Sequence, residues 1–518
     1  MTATTAWDLV SADLRGEWGG LGYYPGRDFY DMFAGHRHAD PGRTAVIDDD
    51  GELSYADLDA LALSFAAGLA QRGIGPGEIV ATQLPNGRFA CAADLAIAAV
   101  GAVALPFPVG RDSRDARSLL GRSAAAAAIV APDHVLGVQA LRSVLPGLRH
   151  LVTPAELFGY NGFTPVRPDP DGPARVLVSS GSEAEPKMVL YSHNALLGGR
   201  GAFVGRLIPP GTRLRALFLV PLASSFGSNG TMITLARHGG TLVLQSRFDP
   251  ARTLELMGRA RPTHVFGVPT MFRMMVDHPD LTRTDLAHLK AVALGGAPLD
   301  PATAESCRAA FGCAVINVYG SADGVNCTTA LDDPPSRCAT AGRPNPAVAR
   351  IRIVDDALNP LPRGSVGEIV ARGPMTPMRY LGDDSLNERY RTADGWVRTG
   401  DLGVIDVDGY LTVAGRRKDI VIRGGVNISP AEVEQAIAAH PAVRDVACVG
   451  VPDRLLGERL CACIVSTQDM SLPELSEYLC AAGLARHKHP EHLLRLDALP
   501  LSPAGKVAKD VLRGLAAG

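Results

Sequence analysis

Short apolar runs alternate with stretches of helical spacing over roughly the first 400 residues, and this alternation restricts the fold more than any other feature. Residues 53–72, LSYADLDALALSFAAGLAQR, repeat apolar positions one helical turn apart, and a strand-like VATQL follows at 80–84. A second helical stretch (Ala90–Val100) leads into an apolar strand, Ala102–Pro106. Ala124–Val130, Val176–Ser179, Thr241–Leu244 and Val292–Leu294 read as further buried strands. Such a pattern predicts an α/β fold with mainly parallel sheets. After Gly400 the character changes. Gly403–Val413 reads as a hairpin around Asp408-Gly409, and Ser429-Pro430 followed by Glu432 opens a helix. From Val446 a strand–helix–strand pattern predicts a small α+β domain of about 100 residues, with the boundary near Lys418.

At 518 residues the chain exceeds a single core, which also argues for two or more domains, one of them large. Charge is balanced, 51 Lys+Arg against 54 Asp+Glu, which excludes a strongly basic nucleic-acid binder. The longest apolar run, Ala124–Ala131, is too short to cross a bilayer, so no membrane partner is expected. No basic segment precedes an apolar core within Met1–Arg15, and nine scattered cysteines do not form a disulfide framework; the expectation is a reduced cytoplasm. His487, His489 and His492 are expected on the surface. Six lysines stand against 45 arginines, so each lysine raises the question of whether arginine was chemically unsuitable there.

Six segments carry chemistry. VLVSSGSEAEPKMV (176–189) runs from a buried strand into hydroxyls, a glycine and Lys187, a composition able to wrap phosphate oxygens. LGGAP (294–298) and NVYGSADG (317–324) offer glycines for close backbone approach and Tyr319 for stacking on a base. In Arg398-Thr399-Gly400-Asp401 the carboxylate can accept two ribose hydroxyls. GRRKDIVIRGGVNISPAEVE (415–434) and LPLSPAGKV (499–507) complete the set, the latter placing Lys506 on a glycine-led loop. Each alone also reads as an ordinary turn.

In this order and spacing the motifs resemble the adenylate-forming superfamily of acyl-CoA synthetases, peptide-synthetase adenylation domains and firefly-type luciferases, and look closest to the acyl-CoA ligases. The resemblance spans nearly the whole chain, from LSYADL at 53 to Val507. It implies a large AMP-binding N-terminal domain of stacked sheets and helices (1–417) and a small mobile C-terminal lid (418–518) that rotates about Lys418. The implied chemistry is attack of a carboxylate on the α-phosphate of ATP with Mg²⁺, giving an acyl-adenylate, followed by displacement of AMP by the thiol of coenzyme A. Ser179, Ser182 and Lys187 would grip phosphate. Gly295, Gly296, Ala297, Asn317, Tyr319, Gly320, Ser321 and Ala322 would line the nucleotide, and Asp401 and Arg416 would hold ribose or phosphate. Lys506, Lys187 and Arg416 would be catalytic, Asp323 would meet Mg²⁺, and Gly424 and Gly425 would wall the CoA tunnel. Ser224, Phe226 and Gly227 would border the acyl pocket.

The chain departs from that pattern on the phosphate side. Glu183 stands where a hydroxyl normally faces the triphosphate; at about 4 Å and an effective dielectric near 20, two like charges repel by about 4 kcal/mol. Ala184 and Met188 replace glycines, Ala322 lacks the expected hydroxyl, and Asp323 is one methylene shorter than the usual glutamate. These changes predict an impaired ATP-dependent half, with a preformed acyl-adenylate, supplied by a separate adenylating enzyme, as the substrate for thioester formation. A complete two-step ligase and a non-catalytic nucleotide- or acyl-binding regulator are the alternatives. Small residues at Ser224, Ser225, Gly227 and Ser228 predict a roomy pocket for a bulky alicyclic or aromatic acid.

Overall fold

The computed structural model describes residues 8–109, 111, 113–179, 185–424, 426–501 and 507–517. Two large sheets form its frame. In the eight-stranded sheet the order is Val325–Thr328, Ala314–Ser321, Ala291–Gly295, His264–Gly267, Arg215–Phe218, Thr241–Leu244, Thr44–Asp48, Gly51–Ser54, parallel except for the pair at each edge. In the seven-stranded sheet the order is Arg379–Leu381, Met188–Ser192, Pro173–Val178, Val103–Pro106, Ile79–Gln83, Ala127–Val130, His150–Val152.

Successive side chains of a strand leave opposite faces of its sheet, and here each face has its own core. From the larger sheet, Ala216, Phe218, Leu242, Leu244, Phe266, Ala293 and Ile316 enter a central core shared with the other sheet's Val80, Ala104, Ile129, Leu177 and Val189. Helices Phe29–Ala39, Tyr55–Gln71 and Arg88–Ala99 fill the space between the sheets. The alternate residues Leu217, Val243, Val265 and Val292 face outward under helices Pro250–Ala260, Pro269–Val276 and Pro301–Phe311. On the second sheet, Ala81, Leu105, Val130 and Val176 do the same under Ser113–Ser123. The result is helix, sheet, helix, sheet, helix, which is why the strands read as continuous apolar runs.

Most predicted elements stand where expected. Ala124–Val130 does not: the strand begins at Ala127, because Ala124 adopts φ 52° to close the preceding helix. Val397–Ile405 and Leu411–Arg416 form the predicted hairpin within a four-stranded antiparallel sheet. The C-terminal region has its own cores, built from residues between Val421 and Ala516, around a sheet dominated by the Val443–Asp453/Gly457–Ser466 hairpin. Ser429 caps the Pro430–Ala438 helix, accepting from the Glu432 N–H. His489 is buried rather than on the surface, bonded to Ser476 Oγ and the Leu484 carbonyl. All nine cysteines are free thiols. Among the described residues no helix is long and apolar enough to cross a membrane.

Candidate active site

A cavity of about 460 Å³ opens where four parallel strands of the larger sheet end, at Val220, Val268, Gly296 and Ser321. The second sheet contributes Ser179 and Lys187, and the four-stranded sheet contributes Thr399, Gly400 and Arg416, with Arg417 and Lys418 just beyond. Segments from Pro108 to Lys418 thus meet in one cleft.

Lys187 precedes the Met188–Ser192 strand, and Ser179 follows its antiparallel partner Pro173–Val178. The two residues close the base of the loop between them: the Ser179 N–H donates to the Lys187 carbonyl at 2.9 Å. The Lys187 ammonium lies 2.7 Å from Asp323 Oδ1 and 4.3 Å from the centre of the Tyr390 ring. Asp323 Oδ1 also accepts from the Tyr380 hydroxyl at 2.7 Å, and Oδ2 accepts from Ser321 Oγ at 2.5 Å. A carboxylate offers about four lone-pair positions, so these bonds leave one, on Oδ2, for a cation. No group of three or more His, Cys, Asp or Glu suited to a metal occurs among the described residues. Asp323 therefore fits a Mg²⁺ held through one protein oxygen and carried by substrate phosphates. Gly324 makes the turn possible, with φ +100° and the Pro377 Cδ 2.6 Å from where a Cβ would stand. Ala322 lines the cavity, and its carbonyl accepts from the Tyr191 hydroxyl.

Asp401 and Arg416 are directly opposed on antiparallel strands, with Arg416 Nε 3.3 Å from Asp401 Oδ1. The Tyr319 hydroxyl donates to Asp401 Oδ2 at 2.7 Å. Burial and the Asp401 charge push the Tyr319 phenol well above its ordinary pKa, so it remains a donor. Gly296 (φ +84°) and Gly320 line the cavity; Gly295, behind them against Val318, and the exposed Ala297 do not.

Three expectations need correcting. Asn317 does not line the cavity: its amide donates to the Thr340 carbonyl at 2.9 Å and is buried there. Gly227 does not border it either, since a Cβ would lie 1.9 Å from the Pro221 carbonyl oxygen; it is small because backbone crosses there. Nor do Ser225 and Ser228 leave open space. The Arg200 guanidinium fills it, donating to the Ser225 carbonyl (2.7 Å), Ser228 Oγ (2.7 Å) and Ser225 Oγ (3.0 Å). Ser224, Ser225 and Phe226 do line the cavity.

Ser182, Glu183, Ala184, Gly425 and Lys506 lie outside the described residues. Gly424 is in the turn of the Val421–Ile428 hairpin, away from the cavity, with its N–H on the Leu456 carbonyl. Lys418 lines the cavity, and burial lowers its pKa. Sequence reasoning missed Arg200, Tyr380, Tyr390 and Glu368. The last, buried, binds both Arg398 and Arg417 and so ties the segment before Lys418 to the large domain.

The model described as AMP-binding enzyme matches residues 33–381, and that described as AMP-binding enzyme C-terminal domain matches 432–506. Triostin synthetase I of Streptomyces triostinicus is 34% identical over 522 residues, covering 97% of either chain. A salicyl-AMP ligase / salicyl-S-ArCP synthetase of Mycobacterium tuberculosis is 32% identical, over 96% of this chain and 92% of its own. The amide bond synthetase McbA from Marinactinospora thermotolerans superposes with a TM-score of 0.84 at 29% identity, over 94% of this chain and 100% of that one. Matched over most of its length by model, relatives and fold alike, the chain belongs to the AMP-binding enzymes of the adenylate-forming superfamily and is an adenylate-forming ligase.

Proposed function

We propose that the protein makes an acyl-CoA thioester of an aromatic or alicyclic acid through, or from, its acyl-adenylate, and that its ATP-dependent half is the slower one. The slower ATP-dependent half rests on Asp323: three of its lone pairs are committed to Lys187, Tyr380 and Ser321, and its neighbour Ala322 has no hydroxyl to add. The nucleotide-monophosphate side, built on Tyr319, Asp401 and Arg416, is already joined by hydrogen bonds and an ion pair.

In the full reaction a carboxylate oxygen attacks the α-phosphorus and pyrophosphate leaves; a CoA sulfur then attacks the acyl carbon, AMP leaves, and the thiol proton passes to solvent. Bound Mg²⁺ would neutralise triphosphate charge. Lys187, Arg416 and Lys506 supply fixed positive charge where phosphate oxygens gain negative charge. Rotation of 418–518 about Lys418 would exchange Lys506 for the Gly424-Gly425 face between steps. The GGVNISPAEVE segment favours CoA as the thiol. Relatedness to an aryl-acid ligase favours an aromatic acid, as do the apolar walls Phe203, Val220, Phe226 and Val268.

The test is thioester formation by mass spectrometry over one panel of acids, in paired reactions. One arm holds acid, ATP, Mg²⁺ and CoA; the other holds the synthetic acyl-adenylate and CoA. Product at least tenfold faster from the adenylate is expected. Equal rates would establish a complete ligase, the reading favoured by the presence of Lys506. Silence in both arms would overturn the enzyme reading in favour of a binding protein.

A further inference from the structure

Two arginines are almost wholly buried in the large domain, and they are treated differently. Arg175 (1% exposed) is neutralised by Asp94 at 2.8 Å. Arg200 (2% exposed), at the end of the Ala195–Arg200 π-helix, has no carboxylate within ion-pairing reach among the described residues. All three of its hydrogen bonds go to neutral oxygens of Ser225 and Ser228. Burial lowers its pKa; the neutral Tyr191, whose ring centre lies 5.8 Å away, offsets this in part, and nearby Arg175 adds a like charge. A buried charge without a counter-charge is costly to keep, so its retention calls for a ligand that completes it.

The hydrogen bonds also show which part of the guanidinium is left over. Ser225 takes the end edge, its carbonyl on Nη1 and its hydroxyl on Nη2, while Ser228 takes the second Nη1 hydrogen. Of the five N–H bonds of an arginine, those remaining are Nε–H, which is buried without a partner, and one on Nη2. These two share the side edge, an edge that a carboxylate grips with two parallel bonds. Arg200 lines the cavity, and so does Asn229, whose buried side-chain oxygen likewise lacks a partner. The remaining walls at this end, Phe203, Val220 and Val268, are apolar.

We infer that the acid this site accepts carries a second anionic group, a carboxylate or an ionised phenol, and that Arg200 is the residue that selects it. This rests on the acyl-adenylate reading above. The second charge enters the cavity opposite the activated carboxyl and replaces the missing counter-ion. Acids with only an apolar tail leave the guanidinium edge unpaired and bind less well.

The experiment measures binding, not turnover. Two non-hydrolysable acyl-sulfamoyl adenosine analogues of one aromatic diacid, differing only in a free distal carboxylate or its methyl ester, are titrated calorimetrically into the full-length protein. The wild type is expected to prefer the free carboxylate by about 10- to 100-fold, the range of a charge-assisted pair. Arg200→Met should bring that ratio to within about threefold, and its binding of the ester reports that it is folded. Arg200→Lys, retaining the charge without the fork, should keep part of the preference. Equal affinity of the wild type for both analogues, or a preference that survives in Arg200→Met, overturns the inference while leaving the acyl-adenylate reading intact. Binding of neither analogue overturns that reading and the inference together.

Discussion

Tyr380→Phe isolates the proposal that Asp323, with three of its four lone pairs engaged, serves a metal-bound triphosphate poorly. Tyr380 is 0% exposed, and its hydroxyl makes one bond, of 2.7 Å, to Asp323 Oδ1. Phenylalanine keeps the ring, which packs 5.8 Å from Tyr390, and removes only the donor. Lys187 and Ser321 still position the carboxylate, so a lone pair is freed without leaving the group unpaired. A hydrogen bond to a charged group contributes about 1.5–3 kcal/mol; releasing it for a cation corresponds to about 10- to 100-fold in MgATP-dependent rate if the whole amount is recovered. Half of it, about 3- to 10-fold, is the expected gain in ATP–pyrophosphate exchange. Thioester formation from the supplied acyl-adenylate, which needs no metal, should change less than twofold. Loss of the bond should cost about 1.5–3 kcal/mol of stability. A folded variant whose exchange rate is unchanged would refute the argument. So would an equal fall in both reactions, which would make Tyr380 a plain support of the site.

Burial holds the His193 pKa down near 4 with its Nδ1 accepting from the Phe29 N–H, so the unfolded chain takes the proton first as pH falls. Stability contributed by this group is present above about pH 6.5 and falls by about 2 kcal/mol by pH 5; the difference between wild type and His193→Asn in urea titrations across that range should shrink accordingly, and a constant difference would contradict it. Gly227→Ala places a Cβ 1.9 Å from the Pro221 carbonyl oxygen and should destabilise by at least about 2 kcal/mol, read as a lower urea midpoint. Arg273 links the domains through Asp445 at 3.3 Å, partly exposed; such a pair is worth about 0.2–1 kcal/mol, so Asp445→Asn should alter either half-reaction less than about fivefold, and a larger effect in stopped-flow assays would show that the contact governs domain rotation.

The layered frame was legible because strands covered on both faces must be apolar at every position, and Val80, Leu242 and Val292 obey that rule whichever core they enter. The order of the motifs carried the cleft, since Lys187, Gly296, Ser321, Gly400 and Arg416 do come together around one cavity. Residue size was the weaker guide. Gly227 and Ser228 are small because a carbonyl and a guanidinium need the volume, and a sequence does not say which neighbour occupies the space a small side chain leaves. Arg200 did have a signal, a lone cation in the small, apolar run ALLGGRGAF. Tyr380 and Tyr390 had none, because they reach Lys187 only through tertiary packing. The lysine argument holds in part: Lys187 fits a slot between a carboxylate and a ring where a guanidinium would be too wide. Lys509, however, is held half-buried on Glu434 at 2.7 Å and the Cys448 carbonyl, so a retained lysine also marks plain structure.

The two ends of the nucleotide site differ in how firmly the fold sets them. Asp401 and Arg416 face each other because the register of two antiparallel strands places them there, so any ligand meets them in fixed positions and little ordering is spent on binding. Lys187 and Asp323 belong to different sheets, and each holds the other in place. A phosphate that draws the ammonium away uncovers a buried carboxylate, and a cation that draws on Asp323 competes with the ammonium. MgATP asks for both changes at once, whereas an acyl-adenylate, with one phosphate and no metal, asks at most for the first. The proposed disparity between the half-reactions thus rests on which contacts must be broken.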